Sequence, residues 1–341
     1  MTRVAAIDCG TNTIRLLIAE ADRDQMGRPR LEVLRRRNEI VRLGQGVDRT
    51  GVLDPEALER TLTVVAAYAA DCAELGVAPG EAARRFVATS ATRDARNRED
   101  FVAGVRRLLG IVPEVVSGQE EARLSFSGSL LGAREGAGGG AQGERAQAPR
   151  LIVDLGGGST ELVLGVDAPS AAISLDTGSV RITERFLTGG VTAEAEAAAR
   201  AEVRGLLDGA ERVVDLSAPG QLVGLAGTIT TVTAHALGLQ AFDPQALGGA
   251  ELSPQVVLAS CEAIVHSTAE QRASWGYLAP GRRDVIAAGA LVWSEVVSRV
   301  VERTTAAGRP LERVITSLYD ILDGIALSLV PAQRPAEGAG A

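Results

Sequence analysis

Apolar residues follow two rhythms along this chain. Short aliphatic runs bounded by Gly, Thr, Ser and Asp read as strands. They include the two arms of VAAIDCGTNTIRLLIA, the RRFVA and IVPEVV stretches, Leu151–Val153, Leu162–Leu164 and the start of LVGLAGTITTVTAHAL. Longer stretches repeat at helical spacing. Leu58, Leu62, Val65, Ala69 and Cys72 share one face of a helix over about 55–75, with Asp54 as cap, Pro55 in the first turn and Gly76 as stop. Asn97 caps a second helix closed by Gly110. Further helices are expected at about 193–215 and 254–267, and a last one at about 311–328 that runs back toward the first part of the chain.

Two strand–turn–strand segments align without a gap. Setting Asp8 on Asp154 puts Gly10 on Gly156, Thr13 on Ser159 and Leu16 on Leu162, 146 residues apart. A repeated unit at that distance predicts an α/β protein of two similar domains facing each other. The Gly/Ala-rich stretch 132–150 reads as a flexible loop between them. The expected boundaries are 1–130 and 131–310, with a disordered tail over 330–341.

At 341 residues the chain has room for two cores, and with 3% aromatics these are built from Val, Leu, Ile and Ala. No uncharged apolar run reaches the roughly 18 residues of a membrane helix. Asp8 interrupts the N-terminus before a signal-peptide core can form, so the expected location is cytoplasmic, away from membranes. Cys9, Cys72 and Cys261 have neither disulfide nor zinc spacing and read as inert buried thiols.

All 35 basic residues are arginine. Without lysine there is no Schiff base and no Walker phosphate loop. With only His235 and His266, a histidine triad or a His-rich metal site is not expected. The net charge of −8 argues against nucleic acid as a partner. Residues 1–130 balance to zero, so the whole excess lies in the remainder. The chemistry left runs on carboxylates, hydroxyls, guanidinium groups and backbone dipoles.

Four turns of small polar residues each follow an apolar run: Asp8–Thr13, Thr89–Arg93, Asp154–Glu161 and Ala226–Thr231. Open N–H groups and hydroxyls suit phosphate oxygens. Asp8, Asp154 and Glu161 beside such loops point to Mg²⁺, a hard cation that takes one or two carboxylates plus phosphate oxygens; Mn²⁺ would serve equally. In SGQEEARLSFSG, Ser117 and Glu120 have capping-box spacing, which explains Glu120 and leaves Glu121 unexplained.

These motifs, with VRLGQGV at 41–47, DTGSVRITERF at 176–186 and RRDVIAAGALV at 282–292, resemble those of the exopolyphosphatase/guanosine-pentaphosphate phosphohydrolase (Ppx/GppA) family. That family lies within the actin-like ATPase and sugar-kinase superfamily. The resemblance implies two actin-like, ribonuclease H-like domains around a cleft, and Mg²⁺-dependent release of terminal phosphate from inorganic polyphosphate. It implies Glu121 as catalytic base and Asp154 and Glu161 as metal-binding and water-positioning acids. Arg93 matches a phosphate-binding arginine. Thr11, Asn12 and Thr13 match the first phosphate loop, Gly157, Gly158 and Ser159 the second; the turn containing Gly227 and Thr228 is the fourth phosphate-facing candidate. A homodimer is implied as well. Guanosine pentaphosphate as substrate, a superfamily ATPase, and a non-catalytic polyphosphate or alarmone binder stand as alternatives. The ending SLYDILDGIAL departs from the family's usual Leu-Arg-Glu-Gly, which removes one basic ligand from that place.

Overall fold

The computed structural model describes residues 2–135 and 148–330. Two mixed sheets carry the fold. The first contains β1 (Thr2–Cys9), β2 (Thr13–Arg23), β3 (Pro29–Ile40), β4 (Arg84–Ala88) and β5 (Glu114–Val115), in the order β3-β2-β1-β4-β5. The second contains β6 (Arg150–Leu155), β7 (Thr160–Gly165), β8 (Pro169–Leu175), β9 (Gln221–Leu225), β10 (Glu251–Leu252) and β11 (Val314–Thr316), in the order β10-β11-β9-β6-β7-β8. Reversed, the second sheet repeats the first and adds β10. In both, an antiparallel three-stranded meander leads into strands that run parallel to its first member. The alignment of the two hairpins holds in detail. The Gly10 N–H donates to the Thr13 carbonyl at 2.9 Å, and the Gly156 N–H to the Ser159 carbonyl at 3.0 Å.

Strand periodicity sorts the core into layers, because successive side chains leave a strand on opposite faces. Ala5, Ile7 and Cys9 pack beneath the Pro55–Glu74 and Arg98–Leu109 helices with Val65, Tyr68, Phe101 and Val105. Ala6, between them, faces the other way with Leu17 and Val87, against Leu124 and the Ile321–Ser328 helix. On the second sheet, Leu151, Val153 and Leu155 face the outer helices, which include Ala193–Ala210 and Ile286–Ala306. Ile152, Val223 and Leu225 face inward onto Ala122 and Phe126 of the Gly118–Glu135 helix. That helix therefore sits between the sheets and touches both.

The expected helix over 311–328 is corrected. Val314–Thr316 is a strand of the second sheet, and only Ile321–Ser328 is helical, packed on the first. The β-branched Val-Ile-Thr triplet prefers the strand, and Asp320 caps the helix that follows, accepting the Leu322 N–H at 3.0 Å. The helix before the interdomain stretch runs on through Glu135 and β6 begins at Arg150, so those parts of 132–150 are regular. The rest of that expected loop, 136–147, and the expected tail from 331 onward lie outside the described residues. Asp54 caps its helix as expected, accepting from Glu56 and Ala57. Asn97 instead spends its side chain on Leu53, taking the N–H at 2.8 Å and giving to the carbonyl at 3.1 Å. No helix among the described residues is long and apolar enough to cross a membrane.

Where the Gly118–Glu135 and Ile321–Ser328 helices cross, two glycines let the backbones meet. A Cβ on Gly128 would overlap the Asp320 carbonyl oxygen, and one on Gly324 the Leu124 carbonyl oxygen. Gly128→Ala should therefore force the helices apart and destabilise the protein by about 1–3 kcal/mol or more. Gly205→Ala, in the open middle of the Ala193–Ala210 helix, should instead stabilise by about 0.5–1 kcal/mol. Denaturant midpoints measure both; equal midpoints for the two variants would mean that the crossing is not tight.

Candidate active site

The ends of the central strands and the turns that follow them converge on one cavity of about 100 Å³. All four small-residue turns reach it, through Asp8, Thr11, Asn12 and Thr13, through Thr89 and Ser90, through Asp154, Gly157, Ser159 and Glu161, and through Gly227 and Thr228. Glu121, in the first turn of the inter-sheet helix, completes the wall. Ser117 Oγ accepts the Glu120 N–H at 3.3 Å, which is half of the expected capping box. The other half is missing because the Glu120 carboxylate pairs with Arg123 at 3.1 Å.

The hairpin turns present backbone N–H groups. Carbonyls of the triple-glycine loop are taken up: Gly156 O by Ser179 N, Gly157 O by Val180 N at 2.9 Å, and Gly158 O by Arg181 Nε at 2.7 Å. The N–H groups of Gly157, Gly158 and Ser159 donate to nothing among the described residues, nor do those of Thr11 and Asn12. The carbonyls of Thr11 and Asn12 are held by Gly44 N at 2.8 Å, Val41 N at 3.0 Å and Arg42 N at 2.9 Å, which gives the VRLGQGV segment its role. Gly158 does not line the cavity. It lets the two loops touch, for a Cβ there would fall 2.6 Å from Thr11 Oγ1 and 2.7 Å from Ser90 Oγ. The fourth turn is the first turn of the Ala226–Ala236 helix, entered through Ala226 at φ 72°, a strained backbone for a residue with a Cβ.

Four carboxylates are buried in this small space: Asp8, Glu121, Asp154 and Glu161. Asp8 is the most fully paired, accepting from Arg15 Nε at 2.9 Å and Nη2 at 2.6 Å; the same guanidinium reaches Asp320. Asp154 accepts from Ser125 Oγ at 2.6 Å and Glu161 from Ser174 Oγ at 2.7 Å. Glu121 faces Arg93 Nη1 at 3.2 Å. Burial, and after it the repulsion of neighbouring carboxylates, raises the pKa of all four. Glu121 is pushed up to about 8, first by burial, with Asp154 and Asp8 adding to the shift and Arg93 opposing it. Asp154 rises to about 6, and Glu161 lies well above the ordinary glutamate value, again chiefly through burial.

Two placements differ from those expected. Arg93 does not line the cavity. Its Nη1 also donates to the Val116 carbonyl at 3.0 Å, which holds it against Glu121. Asp8, Asp154 and Glu161 do not bring oxygens within 4.8 Å of one another as a set of three, because Asp8 turns to Arg15. This leaves Asp154 and Glu161, buried and partnered only by serine hydroxyls, as the donors suited to a divalent cation. Two arginines that the sequence reading left without roles also line the cavity. Arg15 stands at the register position of Glu161, opposite Asp8 as Glu161 is opposite Asp154, and the hairpin alignment could have found it. Arg282, within RRDVIAAGALV, stands directly over Gly227, where any Cβ would collide with its guanidinium. No carboxylate pairs with it among the described residues, and burial together with Arg15 pushes it down to about 10.

The remaining titratable candidates are structural. His235 Nδ1 meets Ser260 Oγ at 2.8 Å and the ring lies edge-on to Trp275; His266 pairs with Glu196 at 3.0 Å; all three cysteines are buried.

The raised carboxyls make stability depend on pH. Glu121 and Asp154 hold protons more tightly folded than at their ordinary values of 4.5 and 3.8. Their contribution is complete below those ordinary values and disappears as pH rises through about 6 and then about 8. The melting temperature of the metal-free protein should therefore fall between pH 5 and pH 8.5. Glu121→Gln should flatten the upper part of that fall, and Mg²⁺ should oppose it. Identical profiles for wild type and Glu121→Gln would contradict the electrostatics described here.

Comparison with known proteins agrees with this geometry. Residues 17–306 match the Ppx/GppA phosphatase family. The chain is 44% identical over 337 residues to exopolyphosphatase 2 of Mycobacterium tuberculosis, covering 96% of this chain and 99% of that one. It is 30% identical over 299 residues to a bifunctional 3-dehydroquinate synthase/phosphatase of Fusobacterium nucleatum, covering 86% of this chain and 43% of that one. A crystal structure of an exopolyphosphatase-like protein superposes with a TM-score of 0.85 at 41% identity, covering 96% of this chain and 97% of that one. The Aquifex aeolicus family member superposes at 0.72 with 27% identity, over 96% and 97% of the two chains. Nucleoside triphosphate hydrolase from Neospora caninum, at 0.51 and 10% identity over 96% and 92%, shares the fold alone. Two similar sheets around one cleft thus take their place in the actin-like architecture, and the chain belongs to the Ppx/GppA phosphatase family.

Proposed function

We propose that the protein is an exopolyphosphatase that removes the terminal phosphate of inorganic polyphosphate through water activated by Glu121. The observation that carries this reading is a glutamate held beside a wall of unclaimed N–H groups, with a lone guanidinium opposite. Phosphoanhydride cleavage asks mainly for alignment and charge neutralisation. The loops at Thr11–Thr13 and Gly157–Ser159 offer their N–H groups to the terminal phosphoryl oxygens. Arg282 has no carboxylate partner among the described residues and so keeps its donors for the same oxygens. Water attacks phosphorus, the bridging P–O bond breaks toward the shortened chain, and the water proton passes to Glu121. Arg93 positions Glu121 and favours the ionised form that can accept that proton.

Asp154 and Glu161 are the residues to hold Mg²⁺ or Mn²⁺. Their donor set fits: two buried carboxylates whose charges repel each other and Glu121, with no arginine pairing to either. A bound divalent cation supplies charge neutralisation on the transferring phosphoryl group.

Phosphate release from tripolyphosphate, long-chain polyphosphate, guanosine pentaphosphate and ATP, with Mg²⁺ or with EDTA, tests the reading. Polyphosphate should lead, and EDTA should abolish turnover. Glu121→Gln should lower kcat by about 10²- to 10⁴-fold, whereas Glu120→Gln should stay near wild type. Preference for pentaphosphate would change the substrate and keep the mechanism. An active Glu121→Gln would remove Glu121 from the role of base.

A further inference from the structure

Two guanidinium groups line the catalytic cavity, and they are differently placed to meet phosphate. Arg282 pairs with no carboxylate among the described residues. Arg15 pairs with two, and all three of its nitrogens donate to them: Nε and Nη2 to Asp8 at 2.9 and 2.6 Å, Nη1 to Asp320. The hairpin accounts for Asp8, which stands opposite Arg15 across β1 and β2. It does not account for Asp320. That residue reaches Arg15 from 305 residues away, and it lines the space behind the cavity and not the cavity itself.

Asp320 is fixed from several sides. Its carboxylate is divided between two tasks. Oδ1 accepts the Leu322 N–H at 3.0 Å, which caps the Ile321–Ser328 helix, and Oδ2 accepts from Arg15. Its own N–H donates to Asp323 Oδ2 at 3.0 Å, and its carbonyl oxygen lies against Gly128 at the helix crossing. Asp323 in turn pairs with Arg36. Asp320 therefore cannot follow if the Arg15 guanidinium swings toward a ligand. The side chains of Arg15 and Asp320 are only 18% and 9% exposed, so salt and water screen their attraction little. Burial opposes the charge on Arg15, yet Asp320 first and Asp8 next more than offset it and hold the proton on. A phosphate in the cavity thus meets one guanidinium with open donors and one already neutralised by two fixed acids.

We propose that Asp320 is a positioning residue for product release: it holds Arg15 back from phosphate, so that each orthophosphate leaves the cleft readily. The proposal rests on the exopolyphosphatase reading, in which every turnover leaves orthophosphate among the donors that held the terminal phosphoryl group. A donor that grips substrate and product alike does not raise turnover. With Asp320 in place, the loop N–H groups and Arg282 bind, while Arg15 keeps Asp8 paired.

Orthophosphate is the probe, measured as a product inhibitor of tripolyphosphate hydrolysis and by titration calorimetry, both with Mg²⁺ present. Asp320→Asn removes the charge and keeps an oxygen for the Leu322 N–H; Asp320→Ser keeps a cap and is too short to reach Arg15. Both should bind orthophosphate about tenfold more tightly than wild type, the effect of one added charge-assisted hydrogen bond. Their kcat should fall as release becomes slower. Asp71→Asn, which takes a carboxylate from Arg35 and Arg37, is the control and should stay within about twofold. A gain is diagnostic, because a disturbed fold weakens binding. Melting temperatures verify folding, and Asp320→Ser carries the test if Asp320→Asn does not fold. Unchanged affinity would overturn the proposal while the activity stands. Weaker binding would also overturn it and make Asp320 a residue that presents Arg15 to phosphate. Equal tightening in Asp71→Asn would reduce the effect to net charge and overturn it as well. A wild type inactive on every polyphosphate would sink the functional reading itself, and with it any role in release.

Discussion

Four carboxylates in a cavity of about 100 Å³ are the constraint around which this molecule is arranged. Like charges at such range cannot all ionise in a dry site, and the fold meets the problem differently for each. Asp8 has a guanidinium of its own in Arg15. Glu121 has one at one remove, since Arg93 also serves the Val116 carbonyl. Asp154 and Glu161 have only hydroxyl donors. Asp154 and Glu161 are thus the least compensated pair. Ser125 comes from the helix that also carries Glu121, so one helix positions two of the four carboxylates.

The duplication explains how so much is delivered to one point. Two hairpins with the same turn hydrogen bond approach from opposite sheets, each with an aspartate at the same place. They differ opposite that aspartate, where the first has Arg15 and the second Glu161. A symmetric ancestor would present the same face twice. Exchanging one cross-strand residue sets a guanidinium opposite the first aspartate and a second carboxylate opposite the other.

Much of this was legible in the sequence, because it depends on local chemistry. The hairpins announce themselves through Asp-x-Gly turns between aliphatic runs, and their in-register alignment led to the two similar sheets. Glu121 stood out once Ser117 accounted for Glu120. What escaped depends on packing across long separations. Arg15 lies within an ordinary apolar strand pattern, and its importance appears only when Asp320 arrives from 305 residues away. Arg282 sits in a helix-entry segment with no local mark of function; the Gly227 backbone opposite it is what gives it room. The contact of Arg93 with Glu121 was not legible either, since nothing local distinguishes a guanidinium that meets phosphate from one that holds a glutamate. The short strand at Val314–Thr316 was hidden by aliphatic continuity with the helix after it.

The return of the Ile321–Ser328 helix to the first sheet has a consequence for how the protein is made. Ala6, Leu17 and Val87, all near the beginning of the chain, find their covering partners in Ile321, Leu322, Ile325 and Ala326. During synthesis the inner face of the first sheet has only Val116 and Leu124 to cover it until those residues have left the ribosome. The first half can close its outer core early but cannot finish, and an apolar sheet face waits in water for most of translation. Residues near the other end of the sequence thus decide when the nascent chain stops being an aggregation hazard, and the Gly128–Gly324 crossing is the seam at which it is sealed.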